Sequence, residues 1–352
     1  MALRNTPRDC RQRHTVGRRA AAAVSLLMAA LAGSASAADN SVLIGVVFPT
    51  QNQARWATEE KIFVGRAQAN GDKVIFQYSN ESAATQKNQV ESMIQRGVKV
   101  LVLVAIDPVA AGDLVKEAQA KGIKVIGYDR FVVGAKPSYN VGRDFYETGK
   151  LQASTAKQLF PSGDFALIRG DKSTLAQVEM SKAYNDVLVS KSGINVVYDT
   201  LTPGWETATA QREVEAALQK NPNIKAVVVM WDNGGQAAVQ ALKSAGKKPG
   251  EVYVSGSDAS TPSLRYIAQG WQTQSVWAPI DKSALKAADV AHALGTGIAP
   301  PPPTTTVDGV PTFYVPQINV TKANLCEFIT KIAPVGWVTA KDVFGAEGKN
   351  CD

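Results

Sequence analysis

Short apolar segments alternate with amphipathic stretches along the chain from about residue 42 onward, and this alternation constrains the fold more than any other feature. Nine segments have the length and apolar content of buried strands. They are residues 42–48, 74–76, 100–106, 125–128, 165–168, 196–198, 226–230, 252–254 and 273–277. Strands that alternate with helices form parallel sheets covered by helices on both faces. The sequence therefore predicts an α/β fold of doubly wound parallel sheets.

Two of the intervening stretches, residues 111–118 and 284–291, have apolar residues at i, i+3, i+4 and i+7. This spacing predicts helices that each bury one face. Gly122 and Gly246 follow helical stretches directly, at positions suited to a left-handed C-cap. We expect a helix to end at each of these glycines.

The N-terminal segment has the pattern of a secretory signal peptide. A basic region ends at Arg18-Arg19, an apolar stretch covers residues 20–32, and small residues precede a cleavage position after Ala37. The apolar stretch is shorter than the roughly 20 residues that a membrane-spanning helix needs. We therefore expect residues 1–37 to be a signal peptide and the mature protein to be periplasmic.

The formal net charge of +7 is concentrated in that segment. Residues 1–37 contain six Arg and one Asp, so their removal takes away 6 − 1 = 5 positive charges and leaves 7 − 5 = +2. Such a small excess does not favour binding to a phosphate backbone. We expect no nucleic-acid partner.

Few residues after position 37 suit metal binding or nucleophilic catalysis. Cys326 and Cys351 are the cysteines of this part of the sequence, and His292 is its histidine. Two cysteines in an exported chain predict a disulfide. One histidine gives little support to a histidine-based triad or a multi-histidine zinc site. We expect no catalytic residue, no metal site and no cofactor.

A weak internal repeat places an aspartate after a predicted strand twice. Residues 118–129 contain a helix end, a glycine, a strand and Asp129, and residues 241–258 repeat this order up to Asp258. Either aspartate alone is explained as a turn or N-cap residue. Their pairing favours a binding site, because ligands of open α/β sheets bind at the carboxyl ends of the strands.

Several motifs resemble the periplasmic sugar-binding proteins of ABC importers, a family with the type I fold. They are Arg55-Trp56, Arg96-Gly97-Val98, residues 123–130, residues 149–153, Gly204-Trp205 and residues 255–259. The resemblance covers nearly the whole chain after the signal peptide and is strongest to the members that bind D-xylose. It implies a monomer that delivers one monosaccharide, D-xylose or a related aldose or polyol, to a membrane permease.

The resemblance also implies two doubly wound lobes joined by three hinge crossings. The expected N-terminal lobe contains residues 38–142 and 281–310, and the expected C-terminal lobe contains residues 143–280 and 311–352. The hinges are expected near residues 141–143, 279–281 and 309–312. The sugar is expected in the cleft between the lobes.

The resemblance further implies eight ligand-binding residues, whose chemistry suits a sugar. Carboxylates accept and guanidinium groups donate charge-assisted hydrogen bonds to hydroxyls, while aromatic rings cover the apolar C–H faces. The expected residues are Arg55, Trp56, Asp129, Arg130, Phe145, Trp205, Trp231 and Asp258.

Four positions carry apolar residues where the family pattern has hydrogen-bonding groups. They are Phe145, Leu175, Trp231 and Ala278. A binding protein for a less polar sugar derivative is therefore an alternative to one for D-xylose. In a second interpretation the correspondence is shifted, and the polar contacts come from the neighbouring residues Asn140, Asp144, Asn233 or Lys282.

Two other classes of protein are weighed against this interpretation. Asp129 and Asp258 would serve as acid and base in an exported carbohydrate hydrolase, but the adjacent Arg130 would keep Asp129 ionised. Sugar-responsive transcription regulators share the fold, but they begin with a helix-turn-helix domain where this chain has a signal peptide. The sequence favours the binding protein.

Overall fold

The computed structural model describes residues 41–345, except 52, 190 and 192, together with Cys351. The predicted signal peptide lies outside the described residues. No helix in the described ranges is long and apolar enough to cross a membrane.

The first half of the described chain alternates strands and helices. The elements are β1 (Leu43–Phe48), α1 (Ala54–Ala69), β2 (Lys73–Tyr78), α2 (Ala83–Gln95), β3 (Val100–Leu103), α3 (Pro108–Ala120), β4 (Lys124–Tyr128) and β5 (Tyr139–Gly142). Their strands form a parallel sheet in the order β5-β4-β3-β1-β2. We call it the first sheet. Strand β2 lies on one side of β1, and β3 lies on the other side. The gap between β1 and β3 is therefore a topological switch point.

The second half begins with a similar alternation. Its elements are α4 (Phe145–Leu159), β6 (Gly163–Arg169), α5 (Leu175–Val187), β7 (Ile194–Leu201), a 3₁₀ turn (Pro203–Trp205), α6 (Thr207–Lys220), β8 (Ala226–Val229), α7 (Asp232–Ser244), β9 (Tyr253–Val254), α8 (Thr261–Gln269) and β10 (Gln274–Trp277). The parallel order β7-β6-β8-β9 forms the second sheet. A single parallel bridge between Ser257 and Val276 connects β10 to it.

The chain then returns to the first sheet. Helix α9 (Ile280–Thr296) packs its buried alanines into the core of that sheet, and β11 (Thr305–Val307) and β12 (Val310–Tyr314) form an antiparallel hairpin at its edge. Strand β12 pairs in parallel with β5. Strand β13 (Ile318–Thr321) pairs with β10 instead, in the second half of the molecule.

The third crossing between the halves differs from the sequence prediction. A hinge was expected at residues 309–312, with the lobe boundary after residue 310, but these residues form the turn and start of the β11–β12 hairpin. Asp308 and Gly309 have φ of 49° and 79°, which suits a two-residue type I′ turn. The crossing therefore lies at residues 315–317, between β12 and β13.

Helix starts and ends follow local side-chain chemistry. Asp107 accepts hydrogen bonds from the backbone nitrogens of Val109 and Ala110 before Pro108 begins α3. Asp144 caps α4 in the same way through Glu147. Gly122 and Gly246 have positive φ directly after α3 and α7, which confirms the predicted C-caps.

The C-terminal segment follows β13 and packs on the second half. It contains α10 (Leu325–Glu327), a π turn (Phe328–Ile332) and α11 (Ala340–Phe344). Its apolar side chains form one cluster with Leu264, Ile267 and Trp277. Cys326 and Cys351 form a disulfide with their Cα atoms 4.9 Å apart, as the sequence predicted. The bridge ties the end of the chain to the start of the segment.

All nine predicted strands are present, and the α/β fold with mostly parallel sheets is confirmed. Four strands were not predicted, namely β5, β11, β12 and β13.

Candidate ligand-binding cleft

A cleft of about 620 Å³ lies at the carboxyl ends of the strands of both sheets. Loops after β1, β2, β3, β4 and β5 line one side, and loops after β6, β7, β8 and β9 line the other. This is the position at which open α/β sheets bind ligands. All eight residues predicted to bind ligand line the cleft: Arg55, Trp56, Asp129, Arg130, Phe145, Trp205, Trp231 and Asp258.

A network of four charged side chains joins the two sides of the cleft. Asp129 Oδ1 accepts hydrogen bonds from Arg55 Nη2 at 3.0 Å and from Arg143 Nε at 3.3 Å. Arg143 Nη1 also donates to Asp258 Oδ1 at 2.7 Å, and Arg55 Nη1 lies 3.8 Å from the same oxygen. The two aspartates of the internal repeat are therefore connected through one guanidinium group.

The charged surroundings keep Asp129 ionised. Burial alone would raise the pKa of Asp129, but Arg55, then Arg143 and Arg130, outweigh it and lower the pKa to about 2. A carboxylate that stays ionised cannot serve as the general acid of a glycoside hydrolase. It can accept hydrogen bonds from hydroxyl groups over the whole physiological pH range.

A second carboxylate supports Arg55 from behind. Glu59 is completely buried and accepts a hydrogen bond from Arg55 Nε at 2.8 Å and another from the Tyr128 hydroxyl. Burial raises the pKa of Glu59, while the charge of Arg55 opposes this shift. These contacts fix the direction in which Arg55 reaches the cleft.

Both aspartates of the network have left-handed backbone conformations. Asp129 has φ of 55° and Asp258 has φ of 98°. Such conformations cost about 1 to 3 kcal/mol each in residues other than glycine and occur preferentially at functional sites. The ion pairs with Arg143 hold both carboxylates at the cleft despite this strain.

Arg130 directly follows Asp129 in sequence, but its ion-pair partner is Glu81 at the rim of the cleft. Its two terminal nitrogens donate to the carboxylate oxygens of Glu81 at 3.0 and 3.4 Å. Glu81 and the preceding Asn80 have φ of 58° and 52°. This strained turn places the Glu81 carboxylate on the cleft wall beside Arg130.

Trp56 is buried deeper than a sugar-stacking ring would be. Only 1% of the residue is exposed, its ring lies edge-on to Phe48 with centroids 5.2 Å apart, and Nε1 donates to Gln53. The guanidinium carbon of Arg55 lies 4.2 Å above the ring. In this structure Trp56 is a platform for Arg55, and Arg55 faces the cleft.

Aromatic residues form the opposite wall. Trp205 and Trp231 meet edge to face with centroids 5.3 Å apart. A Cβ atom at Gly170 would lie 2.1 Å from the Trp205 ring, so this position requires glycine. Phe145, at the start of α4, lies 5.6 Å from the Arg143 guanidinium carbon. Phe145 therefore lies at the boundary between the charged network and the aromatic wall.

The positions that the sequence singled out as apolar replacements divide into two groups. Phe145, Leu175 and Trp231 line the cleft, whereas Ala278 is buried outside it. None of the four polar alternatives lines the cleft. They are Asn140, Asp144, Asn233 and Lys282. The shifted correspondence is therefore not supported by the cleft.

Arg143 is the main residue of the cleft that sequence reasoning missed. It was assigned only to a hinge, and its partners Asp129 and Asp258 lie 14 and 115 positions away. The one available signal was its position directly after β5. That strand is short and was not predicted, so this signal was lost.

Two α/β halves with a cleft at the carboxyl ends of both sheets are the architecture of a binding protein that encloses a small molecule between its lobes. The sequence matches the periplasmic binding protein domain family over residues 44–298, and the chain belongs to this family. The predicted family is confirmed. No group of three or more metal-ligating side chains occurs in the part of the chain that the structure describes.

Two curated relatives cover most of the chain. A D-xylose-binding periplasmic protein of Escherichia coli is 35% identical over 318 residues, which are 87% of this chain and 94% of the relative. The multiple sugar-binding periplasmic receptor ChvE of Rhizobium radiobacter is 30% identical and covers 87% of this chain and 93% of its own length. Both are binding proteins, which confirms the prediction of a protein that is not an enzyme.

A solved structure shows the same fold. An ABC transporter solute-binding protein from Clostridium phytofermentans, with β-D-glucose bound, superposes with a TM-score of 0.77 at 24% identity. The match covers 86% of this chain and 99% of that protein.

Proposed function

We propose that this protein is the periplasmic solute-binding component of an ABC importer and that it binds a monosaccharide or a related small polyol in the cleft. The sugar-binding relatives support this assignment across most of the chain. D-xylose is the named candidate, because the relative at 35% identity binds it. The permease of the importer is the expected protein partner, and the signal peptide at residues 1–37 would direct export.

The observation that carries the proposal is the charged network of Arg55, Asp129, Arg143 and Asp258. The network engages the Oδ1 atoms of both aspartates, so each carboxylate has a second oxygen that can accept a hydrogen bond from a ligand hydroxyl. Every hydroxyl of a sugar can donate and accept, which suits a site of alternating carboxylates and guanidinium groups. A neutral polyol also fits the balance of two positive and two negative charges.

Isothermal titration calorimetry tests the proposal directly. The mature protein is titrated with pentoses, hexoses, their simple glycosides, and polyols, beside Asp258→Ala as a site variant and Asp289→Ala as a control. Asp289 lies on α9 and pairs with Arg66, away from the cleft. The proposal expects saturable binding that Asp258→Ala weakens by about thirtyfold or more, because it leaves Arg143 without one partner. No binding across the panel, or equal binding by the Asp258 variant, would overturn it.

A further inference from the structure

The two sides of the cleft differ sharply in polarity. The side built by the first sheet presents Arg55, Asp129 and Arg130. The side built by the second sheet contributes Asp258 to the charged network, and its apolar lining residues are Leu175, Ala176, Met180, Trp205, Met230 and Trp231. Away from Asp258, a sugar with hydroxyls around its whole rim would meet mainly carbon surface on this second side.

Apart from Asp258, the polar side chains of the second wall are already engaged within the protein. The Asp171 carboxylate accepts hydrogen bonds from the backbone and hydroxyl of Ser173 at 2.8 and 2.6 Å and from the backbone of Gly204. Thr174 donates to the Asp171 carbonyl, and Ser257 donates to the Met230 carbonyl, both at 2.9 Å. These groups hold the loops of the wall, and because their hydroxyl protons are already donated they offer a ligand no free donor.

Trp231 does not offer its ring nitrogen as a substitute. Its Nε1 atom is buried and has no hydrogen-bond partner among the described residues. The ring is held between Trp205 and the start of α7, where the close approach to Gly234 leaves no room for a side chain. Trp231 therefore contributes carbon surface and no donor.

We propose that the ligand is a sugar with an apolar substituent, specifically a glycoside whose alkyl or aryl group lies against the wall of Trp205, Trp231 and Leu175. The inference rests on the proposed function, since the sugar ring is assigned to the charged network. A hydroxyl that faced the wall would lose its water without gaining a partner, which disfavours an unsubstituted sugar. Burial of an alkyl or aryl group there removes apolar surface from water, which favours binding.

The size of the cleft, before any closure of the two halves, leaves room for such a substituent. Its volume of about 620 Å³ lies in the middle of the range of about 300 to 1,000 Å³ found for pockets that enclose drug-sized ligands. A single pentose is much smaller than such ligands. The space beyond the charged network is bounded by aromatic rings, which suit an aryl or alkyl group.

Matched titrations test the inference separately from the proposed function. D-xylose, D-glucose and D-galactose are each compared by calorimetry with their methyl and phenyl glycosides in both anomers. We expect at least one phenyl glycoside to bind about tenfold or more tightly than its parent sugar. Parent sugars that bind as tightly as all of their glycosides, or more tightly, would overturn the inference and leave the proposed function intact. Absence of binding by every compound would overturn both.

Variants of the wall test whether the apolar substituent of the ligand lies against it. Leu175→Asn and Trp231→Asn add hydrogen-bonding groups to the wall, and each should lower the preference for the glycoside over the parent sugar by about tenfold. Val178→Asn is the matched control, because Val178 lies on the same helix as Leu175, is 50% exposed and does not line the cleft. An unchanged preference in both folded wall variants, or an equal change in the control, would place the apolar group elsewhere and overturn the inference.

Discussion

At the scale of single residues, Arg143 has the most consequential contacts of the cleft. It is 4% exposed and donates to Asp129 and to Asp258, which come from the first and second sheets. Without it, two carboxylates with left-handed backbones would face each other across the cleft with one fewer positive charge between them. Arg143 therefore positions both carboxylates and also neutralises their charge.

The substitution Arg143→Ala should abolish most ligand affinity. Removal of one partner from a buried hydrogen-bonded charge pair costs about 2 to 5 kcal/mol, which is about thirtyfold or more in Kd. Calorimetry with the best ligand of the panel measures this loss. Arg169→Ala is the matched control, since Arg169 is also buried but pairs with Asp199 outside the cleft. It should lower the Tm without weakening binding, and equal losses of affinity in both variants would contradict the assigned role.

A second prediction at this scale concerns Asp232, the first residue of α7. Burial raises the pKa of Asp232 to about 7, although the Ser275 hydroxyl and the backbone and hydroxyl of Ser260 donate hydrogen bonds to the carboxylate. Because the pKa is higher in the folded state than the ordinary value of about 3.9, the folded state binds more protons between about pH 4 and pH 7. This group's contribution to stability therefore decreases as the pH rises through that window.

Thermal unfolding between pH 4 and pH 8 checks the prediction for Asp232. The Tm of the wild type should contain a component that falls from about pH 4 to pH 7 and is then constant, and Asp232→Asn should lack this component. Asp113→Asn serves as the control, because the Asp113 side chain is 77% exposed. Parallel Tm profiles for the wild type and Asp232→Asn would contradict the raised pKa.

At the scale of elements, the C-terminal segment supports the cleft from outside it. Trp337 packs against Trp277 with the rings tilted by 49° and their centroids 5.1 Å apart, and its Nε1 donates to the Ala259 carbonyl at 3.1 Å. Ala259 directly follows Asp258, and both have positive φ. The segment, closed by the Cys326–Cys351 disulfide, thus holds the turn that presents Asp258.

Trp337→Phe should weaken ligand binding while the aromatic packing on Trp277 is retained. A hydrogen bond of this kind contributes about 0.5 to 1.5 kcal/mol, so the expected loss in affinity is about twofold to tenfold. Calorimetry measures the affinity, and thermal unfolding measures the stability in parallel. Trp271→Phe, at a half-buried position between α8 and β10, is the control and should leave the affinity unchanged. A lower Tm with wild-type affinity would show that Trp337 has a purely structural role.

The elements also show what the sequence could predict. The strands with continuous apolar runs were all predicted, because burial on both faces leaves a clear pattern. Strand β5 reads Tyr-Asn-Val-Gly and β13 reads Ile-Asn-Val-Thr, and neither four-residue run has this pattern. The β11–β12 hairpin did carry a signal, because an Asp-Gly pair such as Asp308-Gly309 is typical of a two-residue hairpin turn. Contacts between residues far apart in sequence, such as Arg143 with Asp258, have no local signal.

At the scale of the whole molecule, three crossings connect the two halves. They follow β5, β10 and β12, and the third is secured by Gln317, which donates to the Asp144 carbonyl at 2.6 Å and accepts from the Thr148 hydroxyl. Asp129 and Asp258 lie on opposite sides of these crossings and share Arg143. A ligand that bonds to both aspartates would hold the two halves together.

Ligand binding should therefore close the cleft by rotation of the two halves about these crossings. Small-angle X-ray scattering of the mature protein, with and without a saturating ligand from the panel, should show a smaller radius of gyration in the complex. The Asp258→Ala variant provides the control, because the loss of one anchoring carboxylate should leave the scattering curve unchanged at the same ligand concentration. If a ligand saturates the wild type without changing its radius of gyration, the two halves do not move, and binding takes place in a cleft that is already closed.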